Sequence, residues 1–412
     1  MEFGDLLVYS VAFFGLFTSI FFLLTLLENR NLIHIRRPKS LPLVTIIVPA
    51  FNEAKSIEMT LASLLHLRYP KGKLKIIVVD DGSTDETYQI AKNFENSICQ
   101  VYRRKNGGKA SALNFGLRKC ATELVGALDA DSVVDKDALM KIVGYFCLNP
   151  RIMAVTPSMK VYKPSNVLQK IQRIEYLIGI FLRKVFALLG SIHVTPGPFT
   201  IYRRSFFQKY GGYDEHNLTE DIEVALRIQK HKYYIENSVD AEVFTITPNN
   251  FSILYKQRLR WYVGFCENVW KYRELFNRKY GNLGLFILPA SFLSVLLVII
   301  SLFYFAYRLI ANAIRIFINY YSIGFDIKPL LDLRFDAYYI NANSIILLSL
   351  LTLFVGFLII YFAKYVAMEK TNLKSNYFFY LFLYWILFGF WWTAALLYKA
   401  TGRKIKWGNK HL

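Results

Sequence analysis

Residues 74–85 read LKIIVVDDGSTD. Leu74 to Val79 is an apolar run of strand length, and it ends abruptly in Asp80-Asp81-Gly82-Ser83. A short run rich in β-branched residues and closed by turn formers reads as a buried strand. The stretch that follows, 84–96, has a helical pattern, with Ser83 or Thr84 placed to cap it. The same alternation recurs on both sides. Strand-like runs occupy 43–49 (LVTIIVP), 123–128 (ELVGAL) and 152–156 (IMAVT), and helical stretches occupy 54–67, 109–119 and 135–147. Such alternation implies right-handed βαβ units and a mainly parallel, Rossmann-like α/β sheet. Sheets of this kind bind ligands at the carboxyl ends of their strands. The polar motifs fall at those ends: Pro49-Ala50-Phe51-Asn52-Glu53 after the first strand, Asp80-Asp81-Gly82-Ser83 after the second, and Asp129-Ala130-Asp131 after a strand expected fourth in spatial order.

The rest of the chain has a different character. Of 412 residues, 54% are apolar and 19% charged, the latter below the ~25% of an average soluble domain. That excludes a disordered chain. Four runs carry no charge over at least 20 residues: Leu6–Leu27, Gly284–Tyr307, Ser344–Ala363 and Ser375–Tyr398. Each is long enough to cross ~30 Å of hydrocarbon as an α-helix. No Lys or Arg precedes the first run, and no small-residue cleavage site follows it, so it reads as a retained anchor rather than a signal peptide.

Net charge is +20, from 50 basic and 30 acidic residues, and many of the bases flank the apolar runs. No separate basic module for nucleic acid is found, which sets that partner aside. Glu2 and Asp5 precede the first run, whereas Arg30, Arg36, Arg37 and Lys39 follow it. The charge bias puts the amino terminus outside the cell membrane and 28–283 in the cytosol. Lys271, Arg273, Arg278 and Lys279 agree, as do Lys364, Lys370 and Lys374. The tail bases Lys399, Arg403, Lys404, Lys406 and Lys410 conflict with four crossings, so 303–325, with Arg308 and Arg315, is a candidate for a further crossing or re-entry. The expected organisation is a transmembrane helix over 1–30, a cytosolic α/β domain over 31–265 and an amphipathic interfacial segment over 266–283. A transmembrane region of about three helices over 284–398 and a basic tail over 399–412 complete it. Cys99, Cys120, Cys147 and Cys266 form no C-x-x-C pair and read as small hydrophobes.

Five motifs carry chemistry, each with a plainer alternative. Asp129-Ala130-Asp131 can form a turn; it can also offer two hard oxygen ligands to Mg²⁺ or Mn²⁺. Asp80-Asp81 holds more acid than a helix cap requires and can accept from a base or ribose edge. Gly107-Gly108-Lys109 before a helix suits an anion or a flexible turn, and it lacks the P-loop spacing. Thr219-Glu220-Asp221 opens a helix: Thr219 fits an N-cap, and Asp221 fits a general base whose pKa the helix dipole would lower. Gln257-Arg258-Leu259-Arg260-Trp261 fits an interfacial anchor, or a diphosphate clamp at Arg260 with a flat face at Trp261 for a sugar ring.

In order, VPAFNE, VVDDGSTDET, NGGKASALNFG, ALDADS, TPGPF, TEDIEVALR and QRLRW resemble the membrane-embedded, inverting family 2 glycosyltransferases of GT-A fold. The likeness is greatest to poly-N-acetylglucosamine synthases, with hyaluronan, chitin and cellulose synthases as relatives, and it covers roughly 43–265. The resemblance implies that Glu53, Asp80 and Asp81 line a uridine pocket with Lys109 close by. It assigns Asp129 to the nucleotide and metal, Asp131 to the metal (Mg²⁺ or Mn²⁺), and Asp221 to the general base, with Glu220 binding substrate. Gln257, Arg260 and Trp261 would position the donor diphosphate and acceptor end, and Pro196-Gly197-Pro198-Phe199 would lie beside the acceptor. The implied reaction is processive transfer from a UDP-sugar, UDP-N-acetylglucosamine as the nearest guess, to a β-linked polysaccharide. The implied partners are the bilayer and, because the chain is compact, an accessory membrane subunit. The alternatives are a non-processive transferase acting on a polyprenyl phosphate or glycolipid acceptor, and a non-catalytic membrane scaffold.

Overall fold

A computed structural model describes residues 3–32, 41–322, 344–371, 374–403, 406–407 and 410–411. Its centre is an eight-stranded sheet made of the four expected strands and four others. They are β1 (Val44–Ala50), β2 (Leu74–Asp80), β3 (Cys99–Arg103), β4 (Leu124–Ala127), β5 (Ser132–Val134), β6 (Ile152–Val161), β7 (Thr200–Arg203) and β8 (Tyr234–Thr245). The order is β3-β2-β1-β4-β7-β6-β8-β5, so β4, which ends just before Asp129, is fourth from the β3 edge. β1 pairs in parallel with β2 and with β4, and β2 with β3; β7 runs antiparallel to β4 and β6. The sheet is thus mixed and mostly parallel, and long apolar helices are joined to it.

Successive side chains of a strand point to opposite faces, and this builds two cores. On one face Ile46, Val48, Ile76 and Val78 pack with Leu61 and Leu64 of α2 (Ile57–Leu65) and Ile142 of α5 (Ala138–Phe146). On the other, Ile47, Ile77 and Val79 pack with Ala112 and Leu113 of α4 (Lys109–Lys119), and Val224 and Ile228 of α8 (Glu220–Lys230). Helices on both faces explain why the strands read as continuous apolar runs rather than alternating ones.

Two sequence expectations change. The helix expected over 84–96 shrinks to α3 (Thr87–Lys92), and no side chain caps it: Ser83 Oγ accepts from Asn52 N–H instead. The strands β3, β5, β7 and β8 were not anticipated; β7, at four residues, and β5, at three, are too short to show a period.

Among the described residues four helices are long and apolar enough to cross a bilayer: α1 (Phe3–Glu28), α10 (Leu288–Ser322, extending a span that begins at Leu283), α11 (Ser344–Val366) and α12 (Lys374–Ala400, apolar from Phe379). The segment expected to cross or re-enter over 303–325 is instead the unbroken continuation of α10 as far as Ser322; 323–325 lie outside the described residues. Between sheet and membrane helices lies α6 (Val167–Leu188), capped by the Asn166 side chain on Gln169 N–H at 2.9 Å. It packs on β6 and β8 and on α1, α11 and α12. α9 (Phe251–Lys271) packs on α8 and α12 and runs straight through the boundary expected at 265.

Candidate functional site

The loops after β1 and β2 are laced together. Asn52, at φ 56°, accepts from Thr84 N–H at 2.9 Å. Asp85 accepts from Ala54 N–H at 3.2 Å and from Thr87 N–H at 3.0 Å. Asp80 is fully buried, with Oδ1 accepting from Ser83 N–H and Oδ2 facing Arg103 Nε at 3.2 Å. Asp81 is also buried; it accepts from Gly107 N–H at 3.0 Å and Gly108 N–H at 2.6 Å and pairs with Arg104. The acid doublet thus fixes the Gly107-Gly108 turn to the end of β2. Gly108, at φ 91°, supplies a conformation that an L side chain resists.

That turn delivers Lys109, the first residue of α4, to the end of β4. Its Nζ lies 2.6 Å from Asp129 Oδ1 and 3.1 Å from Glu220 Oε1. Burial alone would lower its pKa, but the two carboxylates outweigh this and raise it. Lys109 therefore joins the strand-end acid to the Thr219-Glu220-Asp221 motif, far away in sequence. Gly197 closes the other side: a Cβ there would meet Lys109 Nζ at 2.8 Å and Asp129 Oδ2 at 3.1 Å.

Among the described residues Asp131 has no cationic partner in contact. Ser132 Oγ donates to it at 3.0 Å and Thr245 Oγ1 at 3.5 Å. Burial first, then the charges of Asp129 and Glu53, push its pKa up to about 7. Burial also raises Glu53, whose carboxylate accepts from Ser56 Oγ at 2.7 Å. A buried acid raised by neighbouring carboxylates suits a divalent cation, and oxygen donors suit Mg²⁺ or Mn²⁺. Among the described residues no group of three or more His, Cys, Asp or Glu is arranged to hold an ion alone. Asp129 and Asp131 fit a cation whose remaining ligands are substrate oxygens and water.

Asp221 departs from the expectation drawn from the helix dipole. Burial, and then the charge of Glu220, push its pKa up to about 6, against the lowering effects of Lys109, Arg260 and Ile222 N–H. Its backbone carbonyl accepts from Thr195 Oγ1 at 2.7 Å, which in turn accepts from Tyr202 Oη at 3.0 Å. Thr219 stands at the N-cap position, but its side chain makes no cap; its Oγ1 accepts from Asn268 Nδ2 at 2.9 Å.

The 257–261 segment forms one wall. Arg260 donates to Leu218 O at 3.0 Å and acts electrostatically on Glu220 and Asp221. Gln257 Oε1 is buried without a hydrogen-bond partner among the described residues. Arg258, 1% exposed, pairs with Glu175 of α6 at 2.7 Å and lies over the Trp261 ring at 4.3 Å, so one face of Trp261 is covered.

The site therefore brings Lys109, Asp129, Glu220, Asp221 and Arg260 into one electrostatic cluster, with Asp131 and Glu53 coupled to Asp129. Asp80 and Asp81 fasten the loop after β2 and the Gly107-Gly108 turn. Residues 45–211 match the Glycosyl transferase family 2 profile.

The chain is therefore similar to glycosyl transferase family 2 over residues 45–211. It is 34% identical over 240 residues to a poly-beta-1,6-N-acetyl-D-glucosamine synthase of Staphylococcus epidermidis, covering 57% of this chain and 58% of the relative. It is 35% identical over 269 residues to the Staphylococcus aureus synthase of the same name, covering 63% and 64%. The chain thus matches about three-fifths of the length of these curated relatives. Among solved structures, a mannosyltransferase from Pyrobaculum calidifontis in complex with GDP-Man and Mn²⁺ aligns over 96% of this chain and 100% of its own, at TM-score 0.56 and 19% identity, which establishes the fold.

Several residues of this glycosyltransferase domain escaped the sequence reading. Arg103 and Arg104 hold the acid doublet, Thr195 and Tyr202 hold Asp221, and Glu175 neutralises Arg258. None belongs to a motif; each is found only by its contact.

Proposed function

We propose that the chain transfers a sugar from a UDP-sugar, UDP-N-acetylglucosamine foremost, to the end of a growing β-linked polysaccharide, with inversion at the anomeric carbon. The catalytic domain faces the cytosol at the cell membrane. The observation that carries this reading is the union of Asp129, Lys109, Glu220, Asp221 and Arg260 in one cluster beside the membrane helices. Sequence likeness to the two synthases supports the donor and the product class. The Mn²⁺ of the mannosyltransferase complex supports a divalent cation. An acid cluster assembled at such desolvation cost weighs against a scaffold role.

Asp221 takes the proton of the acceptor hydroxyl. With a pKa of about 6 it is mostly ionised at neutral pH, yet more basic than an ordinary aspartate. The acceptor oxygen then forms a bond to the anomeric carbon from the face opposite UDP. The bond from that carbon to the diphosphate oxygen breaks, and its electron pair leaves with UDP. Arg260 stabilises the charge arriving on the diphosphate. A cation held by Asp129 and Asp131 would neutralise diphosphate charge. Lys109 holds Asp129 and Glu220 in register, and Gly197 leaves the space they need.

The test is to incubate the purified full chain with radiolabelled UDP-N-acetylglucosamine and Mg²⁺ or Mn²⁺, then digest the product with linkage-specific hydrolases. Polymer is expected. Asp221→Asn should lower its formation about 100-fold or more, as loss of a general base does, and Asp131→Asn should raise the cation concentration required. Finding only lipid products that bear a single sugar, or transfer undiminished in Asp221→Asn, would refute the reading.

A further inference from the structure

Arg260, Gly264 and Asn268 of α9 are spaced four residues apart, so they share one stripe of the helix. All three meet the segment that leads into Asp221. Arg260 donates to Leu218 O at 3.0 Å. Gly264 is buried so close to Thr219 that a Cβ there would meet Thr219 Oγ1 at 2.5 Å and Cγ2 at 2.7 Å. Asn268 is fully buried. Its Nδ2 donates to Asn217 Oδ1 and to Thr219 Oγ1, each at 2.9 Å, and its Oδ1 accepts from Asn217 Nδ2 at 2.7 Å. Both donors of this amide are thus spent on residues 217–219, which α9 grips along a single line.

Apolar packing also joins the two segments: Leu218 lies in one cluster with Leu259 and Val263 of α9. Such contacts are non-directional and fix no register. A reciprocal amide pair is directional, because its donors and acceptors meet in one alignment only. Its net gain in stability is small, since the same groups are hydrogen-bonded to water in the unfolded chain. What it supplies is position. Asn217 Oδ1 also accepts from Thr219 N–H at 3.0 Å, which turns the chain just ahead of Glu220. The groups held in place by this grip belong to the transfer site. Asp221 stands two residues beyond Thr219, and Arg260, at the first rung, acts by its charge on Glu220 and Asp221.

We propose that Asn268 is a positioning residue for sugar transfer: with Gly264 it sets the spacing between Asp221, which takes the acceptor proton, and Arg260, which meets the departing diphosphate. This assignment rests on the function proposed above for those two groups. Inversion requires the attacking and leaving oxygens on opposite sides of the anomeric carbon, so the base and the guanidinium must be held at one separation. A displacement of about 1 Å at such a site costs about 100-fold in rate. Asn268 acts through residues 217–219 rather than on the reacting atoms.

The experiment measures initial rates of transfer from labelled UDP-N-acetylglucosamine by the full chain in detergent. Titration with UDP counts the binding sites in each sample, and kcat is expressed per site. Asn268→Leu should lower kcat about thirtyfold or more, with donor KM and UDP affinity changed less than about threefold, as when an interaction that matters in the transition state is lost. A merely structural role would reduce the number of UDP sites and leave kcat per site as in the native chain. Gly264→Ala wedges α9 away from Thr219 and should lower kcat about tenfold. Adding Thr219→Ala vacates that space and should recover much of the loss. If Asn268→Leu binds no UDP, the Gly264 and Thr219 variants decide alone. Native kcat in a UDP-binding Asn268→Leu variant, a loss confined to KM, or a Gly264→Ala defect that Thr219→Ala leaves uncorrected overturns the assignment. Asp221→Asn in the same series separates it from the proposed function. Undiminished transfer in Asp221→Asn overturns both, whereas transfer lost there and kept in Asn268→Leu overturns the positioning role alone.

Discussion

The acid limb of the pH–rate profile should belong to Asp221, and Glu220 should control where it falls. With a pKa of about 6, Asp221 is ~90% ionised at pH 7 and ~10% at pH 5. A base that must be ionised to act then gives a kcat/KM about tenfold lower at pH 5 than at pH 7. Saturating divalent cation is required in the assay, because Asp131, at about 7, would otherwise compete for protons in the same range. Glu220→Gln removes the second-largest cause of the raised value and leaves the largest, burial, in place. Lys109 remains tied to Asp129 at 2.6 Å, so it continues to favour the ionised base. The Asp221 pKa should therefore fall part of the way back toward 3.8, by about one unit, which is a typical effect of a neighbouring like charge. At a pKa of about 5 the variant would keep about half of its pH 7 rate at pH 5. The assay is initial-rate transfer from labelled UDP-N-acetylglucosamine between pH 4.5 and 8. A native profile flat down to pH 5, or an acid limb unmoved or moved upward in Glu220→Gln, would refute the assignment.

Gly197→Ala should lower kcat/KM about tenfold while shifting Tm by no more than about 2 °C, because its Cβ would push on the Lys109 tip and the Asp129 carboxylate rather than on the core; thermal denaturation beside initial rates checks this. Arg258→Met should lower stability by about 3–5 kcal/mol, since it strands the Glu175 carboxylate, whereas Arg258→Met combined with Glu175→Leu should recover much of the loss. Denaturation of the detergent-solubilised chain would decide between them, and equal loss in the single and double variants would show that the pair does not act as a unit.

Periodicity and strand-end chemistry were legible from the residues alone. Apolar runs at 43–49, 74–79, 123–128 and 152–156 became strands because helices cover both sheet faces, and burial on both sides leaves an unmistakable composition. The four uncharged runs became four long helices because a bilayer tolerates no charge over that length. Asp129, Asp131, Asp221 and Arg260 were visible as motifs because their chemistry needs fixed local spacing.

Tertiary structure alone showed which neighbours hold each of those acids in place. Asp80 and Asp81 look like the rest of the acid set in sequence, but Arg103, Arg104 and the Gly107 and Gly108 amides claim them. The direction of the Asp221 pKa depended on burial and on Glu220, which outweigh the helix terminus that sequence could see. The pairing of Arg258 with Glu175 has no signature in either stretch of chain. The energy of a buried charge is set by what stands within a few ångströms of it, and in this fold those neighbours come from segments far apart in sequence.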